Sequence, residues 1–248
     1  MTDSTQLTTP TGYNVSRMIF SEPQGGSIPD SKPAISYKRI LISTKNKDGS
    51  VGDLILPTEE LFSFGVSENI NQETGKVNGY VFPICLYNRD GATKGQKEWV
   101  ETFNNIIEHT KKHLVEHKED IEQWELSPND LKKFNPLYYK REKGKIVDGT
   151  GPTLYAKLIV SRKLDKIVSM FFDGAGDSVD PITLIGKYCF AKSAIKIESI
   201  FIGNKISIQI KLYESEVRIM ESGMRRLLSK PKINPRVLIS NNNVNPLF

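Results

Sequence analysis

The 248-residue chain predicts a mainly β fold interrupted by one long helix, and three features carry that prediction. Runs rich in β-branched and aromatic residues recur along most of the chain, separated by Asn, Asp and Gly turn chemistry. One segment, around residues 96–117, instead repeats apolar residues at three- and four-residue spacing. Finally, AIKIESIFIGNKISIQIKLY reads as a long hairpin, with Gly203-Asn204 supplying a two-residue primed turn.

In chain order, residues 1–33 are rich in Ser, Thr, Pro and Gly and show no periodicity, which predicts a flexible N-terminal arm. The folded domain is expected over 34–220, with strands at 35–43, 51–56, 61–66 and 79–87. The helix follows: Trp99, Phe103, Ile106, Ile107, Thr110 and Leu114 share one face, opposite Glu101, Asn104, Glu108 and Lys111. It should run for about six turns against a β core. Ser127, Pro128 and Asp130 form an N-cap pattern for a short second helix to about Phe134. Strands resume at 137–141, 153–160, 167–173, 182–191, 195–202 and 205–213. In the last, Ile206, Ile208, Ile210 and Leu212 share one face and Lys205, Ser207, Gln209, Lys211 and Tyr213 the other. Residues 221–248 read as a basic, flexible tail with a helical turn at 224–228. No internal repeat occurs.

Apolar content of 38% and charged content of 25% are those of a globular protein. No run approaches the roughly 18–20 apolar residues of a membrane span, and the N-terminus lacks signal-peptide patterning, so a soluble intracellular protein is expected. Cys85 and Cys189, the only cysteines, sit in apolar runs and read as buried thiols.

Catalytic patterns are sparse. His109, His113 and His117 are the only histidines, spaced by four along the helix, and HLVEH matches the H-x-x-E-H pattern of inverted zinc peptidases. A metal-dependent hydrolase on His113, Glu116 and His117 would need a third ligand from another element. Neither G-x-S-x-G nor a P-loop occurs. FDGAGDSVD lacks EF-hand spacing and reads as a hairpin loop, and HKEDIEQWE as an exposed helix end. The expectation is a non-enzyme with no catalytic residue, no metal and no cofactor.

Charge is segregated. Between Lys132 and Lys166 ten Lys/Arg face three acids, and from Lys192 onward ten face four, while acids gather around 98–125. Such segregation is a footprint for a polyanion. Aromatics stand beside cations at Tyr138-Tyr139-Lys140-Arg141, at Tyr155 and Lys157, at Lys187-Tyr188 with Phe190 and Lys192, and at Lys211 with Tyr213. Binders of single-stranded nucleic acid need this mixture, because aromatics stack unpaired bases while Lys and Arg track phosphates.

The strand at 79–86, the helix at 96–117, FFDGAGDSVDPITLIGKY and the hairpin AIKIESIFIGNKISIQIKLYESEV occur in an order that resembles the replication single-stranded DNA-binding proteins of T-seven-type phages. It resembles still more the counterparts of nucleocytoplasmic large DNA viruses. The resemblance spans about 35–217 and implies an OB-fold-like Greek-key barrel that coats single-stranded DNA during viral replication, recombination or repair. By position it implies that the outward residues of the final hairpin and of the 153–157 strand line the groove; together with the aromatic–cation clusters, phosphate contacts are expected at Lys140, Arg141, Lys157, Lys187, Lys192, Lys205 and Lys211. Stacking would fall to Tyr138, Tyr139, Tyr155, Tyr188 and Tyr213, and Gln209 would lie in the groove. The expected location is the host cytoplasm, at viral factories, or the nucleus or virion. The phage proteins end in an acidic tail with a terminal aromatic. Here Phe248 is last but no acid follows Glu221, so acidic-tail recruitment of partners is in doubt. RNA binding, replication proteins and self-association stay open, as does a second class: a virion or replication-complex interaction protein with general nucleic-acid affinity.

Overall fold

The computed structural model describes residues 4–28, 35–71, 75–147, 150–161, 163–164 and 166–220. In chain order the strands are β1 (Met18–Phe20), β2 (Gln24–Ile28), β3 (Ile35–Lys45), β4 (Val51–Ser63), β5 (Ser67–Ile70) and β6 (Val77–Cys85). Helix α1 (Lys94–Glu116) comes next. After it lie β7 (Arg141–Glu142), β8 (Lys145–Ile146), β9 (Thr153–Leu158), β10 (Val160–Ser161), β11 (Lys166–Ile167), β12 (Met170–Phe172), β13 (Cys189–Ile202) and β14 (Ile206–Ile219).

The chain is mainly β, as its patterning predicts. Strands β4, β6, β9, β14 and β13 pair in that order, and β13 returns to β4, making a barrel-like ring. Every junction is antiparallel except β9–β14. Counted along the chain, ring neighbours run first-second-third-fifth-fourth, the Greek-key order of an OB-fold-like barrel. Two junctions are thin, since β4 meets β6 only at Ser63↔Ile84 and β9 meets β14 at two residue pairs. The ring is therefore not fully closed.

Alternation decides what fills it. Leu154, Ala156 and Leu158 of β9 and Ile208, Ile210 and Leu212 of β14 are buried. They meet Phe82, Ile84, Leu54, Leu56, Ile195 and Ile197 in one core. Each fully buried large side chain contributes about 1.5–3 kcal/mol. Helix α1 buries its predicted face, Trp99, Phe103, Ile106, Ile107, Thr110 and Leu114. Its start is fixed by a capping box in which Thr93 and Gln96 serve each other's backbone N–H.

Several expectations are corrected. The described part of the supposed flexible arm carries β1 and β2, both paired with β3, and Thr8 N–H donates to Ile55 O at 2.7 Å. Backbone pairing to an existing sheet edge orders a segment that has no periodicity of its own. Residues 51–56 and 61–66 are largely one strand, β4, because Pro57 falls beside a register shift between Lys192 and Ala194 of β13, where a missing N–H is tolerated. Residues 128–133 form successive turns rather than a helix. The 137–141 strand shrinks to a bridge, Tyr138↔Thr153, followed by the β7–β8 hairpin. Residues 181–184 are a 3-10 turn, and β13 starts only at Cys189. Ile202 pairs with Ile206, so the long hairpin closes through three residues, Gly203, Asn204 and Lys205, rather than two. The tail expected at 221–248, with its turn at 224–228, lies outside the described residues.

Candidate nucleic-acid interface

The residues expected to bind do not form one surface. Strand β13 spans 14 residues, or about 43 Å at 3.3 Å each, and the predicted residues lie near both its ends and at its middle.

The first group sits on the outer face of β9 and β14. Pairing of Tyr138 N–H to Thr153 O (2.9 Å) and Thr153 N–H to Tyr138 O (2.8 Å) places Tyr138 beside β9. Its ring meets the Tyr155 ring edge-on at 6.4 Å and 80°. Both rings face solvent, at 58% and 48% exposure. Two residues on, Lys157 is in register with Val81 of β6 and with Lys211 of β14. Lys211 in turn faces Lys196 of β13, so three cations cross three strands. Lys196 is neutralised by Asp53 at 2.8 Å. Lys157 Nζ donates to Gln209 Oε1 at 3.1 Å, and Gln209 Nε2 donates to Ser207 Oγ at 2.9 Å, which orients the Gln209 amide. Tyr213 lies two residues beyond Lys211 and is half-buried. Next to this face the β7–β8 hairpin holds Lys140, paired with Glu142 at 3.1 Å, and Arg141, which donates to Gly144 O. Tyr139 is the exception, because alternation turns it against the core.

The second group is at the base of the hairpin and has a different character. Tyr188 is exposed, but its ring packs edge-on against Phe62 and Phe64, at 5.7 and 5.9 Å. Phe190 joins them, with Arg218 over its ring at 4.8 Å. Arg218 is itself held by Glu60 at 3.0 and 3.2 Å. Lys187 is exposed beside Tyr188. Lys192 stands in register between Glu60 and Glu216, a cation flanked by acids. Lys205 is at the far tip, where it lines a cleft of about 1050 Å³ with Lys132, Lys133 and Trp124. Trp124 is 62% exposed, and a reading of HKEDIEQWE as an exposed helix end passes over it.

The histidine motif is engaged otherwise. The His113 ring stacks on Phe20 at 3.9 Å and 8°, and burial together with the neighbouring His117 and His109 pulls its pKa down to about 4. His117 Nδ1 lies 3.1 Å from Asp120, and Glu116 lies 3.7 Å from Lys112. Among the described residues no three His, Cys, Asp or Glu side chains gather in a way that could hold a metal ion. Cys189 is buried, which pushes its thiol up to about 11, and both cysteines are free. No helix among the described residues is long and apolar enough to cross a membrane.

Fold and surface together define an OB-fold-like β protein with a cationic, aromatic outer strand face. The chain belongs to the family described as a protein of unknown function, DUF2738, whose profile matches residues 11–243. It is similar to uncharacterized protein 007R of Invertebrate iridescent virus 3, with 26% identity over 200 residues, 79% of this chain and 40% of that protein. It is also similar to the early 31 kDa protein of Frog virus 3 (isolate Goorha), with 26% identity over 207 residues, 83% of this chain and 77% of that protein. The chain thus spans about two-fifths of the first relative's length and most of the second's.

Proposed function

We propose that this protein binds single-stranded DNA without sequence preference, coating it during viral DNA replication, recombination or repair and performing no chemistry itself. The observation that carries the reading is the β9–β14 face, where Lys157 lies directly across from Lys211 beside the exposed Tyr138–Tyr155 pair. A phosphate chain laid along the strands is attracted to both ammonium groups and releases its own counterions on binding. Bases unstacked by the same path can lie on the two tyrosines, at about 1–3 kcal/mol each. An OB-fold-like ring presenting strand faces of this kind suits a single strand better than a duplex. The DNA-binding domain is assigned to 34–220 together with β1 and β2, which pair with β3, and the cations of 221–248 add electrostatic attraction. Viral relatives favour an intracellular setting in an infected host, at viral factories, in the nucleus or in the virion. RNA and replication proteins are further candidate partners.

Titration of a fluorescently labelled single strand and its duplex at several salt concentrations tests the reading. Tighter binding to the single strand, with log affinity falling linearly in log salt at about −0.7 per phosphate contacted, is expected. Equal or absent binding would transfer the lead to a second reading, a virion or replication-complex interaction protein. That reading is favoured by the exposed cluster of Phe64 and Tyr188 at the base of the hairpin.

A further inference from the structure

Among the described residues, Trp124 is the largest apolar side chain that the fold leaves open, at 62% exposure. The chain around it is fixed. Ile121 and Leu126 are buried in the core, and the turns between them close through Gln123 N–H to Lys118 O and Leu126 N–H to Gln123 O, both at 2.9 Å. Glu122 stands at φ 59°, a region few non-glycine residues enter, with its carboxylate held by Lys38 at 3.1 Å. A turn anchored on both sides thus carries the indole outward, where burial would have been the more stable place for it.

The cleft beside Trp124, of about 1050 Å³, has its far wall at the hairpin turn and the start of β14, where Lys205 and Ser207 line it. Ser207 joins the cleft to the β9–β14 face. Its hydroxyl oxygen accepts from Gln209 Nε2 at 2.9 Å, and Gln209 Oε1 accepts from Lys157 Nζ at 3.1 Å. From Ser207 to Lys211 the strand covers only about 13 Å, at 3.3 Å per residue. A second route runs through Phe134, which also lines the cleft. Tyr138 follows it by four residues and so lies at most about 14 Å away.

Charge alone does not choose the ligand, because the cleft carries both signs. Glu122 is paired with Lys38, and Asp130 accepts from the Ser127 N–H and hydroxyl at 2.9 and 2.6 Å. Lys133 and Lys205, by contrast, have no ion-pair partner among the described residues. The open ring chooses instead. An unpaired base can lay its face on an indole, whereas a base inside a duplex has both faces covered by its neighbours in the stack. We infer that the cleft continues the single-strand path: a strand crossing Tyr138 and Tyr155 passes Gln209 and Ser207, enters the cleft and stacks a base on Trp124. Its phosphates lie against Lys133 and Lys205. This inference rests on the reading proposed above and adds a third stacking platform to it.

Trp99 is 5% exposed and stacked on Phe103, so a change in indole emission on binding reports Trp124. Titrating the full chain with oligothymidylate should quench that emission saturably, in step with anisotropy of the same oligonucleotide, and duplex should leave it unchanged. Trp124→Ala should weaken single-strand binding by roughly fivefold to a hundredfold with the unfolding midpoint unchanged. Trp124→Phe keeps a ring face and should retain most of the affinity while abolishing the quench. Lys133→Met with Lys205→Met should shallow the log–log salt slope by about 1.4, two phosphates' worth. Anisotropy showing tight single-strand binding with unmoved emission, or undiminished affinity in Trp124→Ala, would overturn the inference and leave the β9–β14 reading standing. Absence of single-strand binding by anisotropy would overturn both.

Discussion

Two aromatic patches lie on the outer surface of the same hairpin-centred barrel, and their neighbours make them different objects. At β9–β14, Tyr138 and Tyr155 touch each other and stand beside Lys157 and Lys211. At the hairpin base, Tyr188 touches Phe62 and Phe64, and the nearby cation Arg218 is held by Glu60. In the first patch, positive charge faces positive charge and the rings are free to receive a flat partner. In the second, charge is balanced locally and the rings satisfy one another. A tyrosine next to a lysine in the sequence is therefore not a unit of recognition by itself. What decides is whether cations line up across neighbouring strands and whether the ring face beside them is open.

The largest expected effect comes from removing the open rings. Tyr138→Ala with Tyr155→Ala should weaken single-strand binding by about 2–6 kcal/mol in anisotropy titrations, with little change in unfolding midpoint because both rings are exposed. The matched pair Phe64→Ser with Tyr188→Ala should leave DNA affinity unchanged and reduce self-association in sedimentation. If the two double variants lose affinity equally, the distinction between the patches fails.

A smaller effect should separate the cations. Lys157→Met is expected to shallow the log–log salt slope by about 0.7, one phosphate's worth, while Lys192→Met, between Glu60 and Glu216, should leave the slope unchanged. The smallest effect concerns stability. His113 is held neutral by its seat against Phe20, its pKa lowered to about 4 from an ordinary 6.5. Its contribution is present above about pH 6.5 and lost as pH falls towards 4, because the unfolded chain takes up the proton first. The loss should be on the order of 1 kcal/mol once solvent screening is discounted, and a flat Tm between pH 6.5 and 4 would contradict it.

Much of the fold is legible in the sequence, and what is not has identifiable causes. Helix α1 and the two faces of the first half of β14 follow from side-chain period alone, since Ile208, Ile210 and Leu212 alternate with Gln209 and Lys211, while beyond Tyr213 the phase shifts and Ser215 and Val217 turn inward. Strands β1 and β2 do not, because their order comes from pairing with β3 rather than from their own pattern. The β7–β8 hairpin hides for a related reason: its turn places Lys143 and Gly144 at positive φ, and Lys is a rare occupant of that region. Within the candidate site, composition finds Tyr155 and Lys157 but also admits Tyr139, whose neighbour Tyr138 points the opposite way. It cannot see that Glu60 and Glu216 flank Lys192, because those three residues meet only across strands.

The most direct test of the central claim is photocrosslinking of the full chain to a single-stranded oligonucleotide carrying 5-iodouracil, with crosslinked peptides mapped by mass spectrometry. Crosslinks to Tyr138 and Tyr155, lost on competition with unlabelled single strand but not with duplex, are the predicted result. Crosslinks confined to Tyr188 and its phenylalanine neighbours, or none above background, would contradict the assignment of the β9–β14 face.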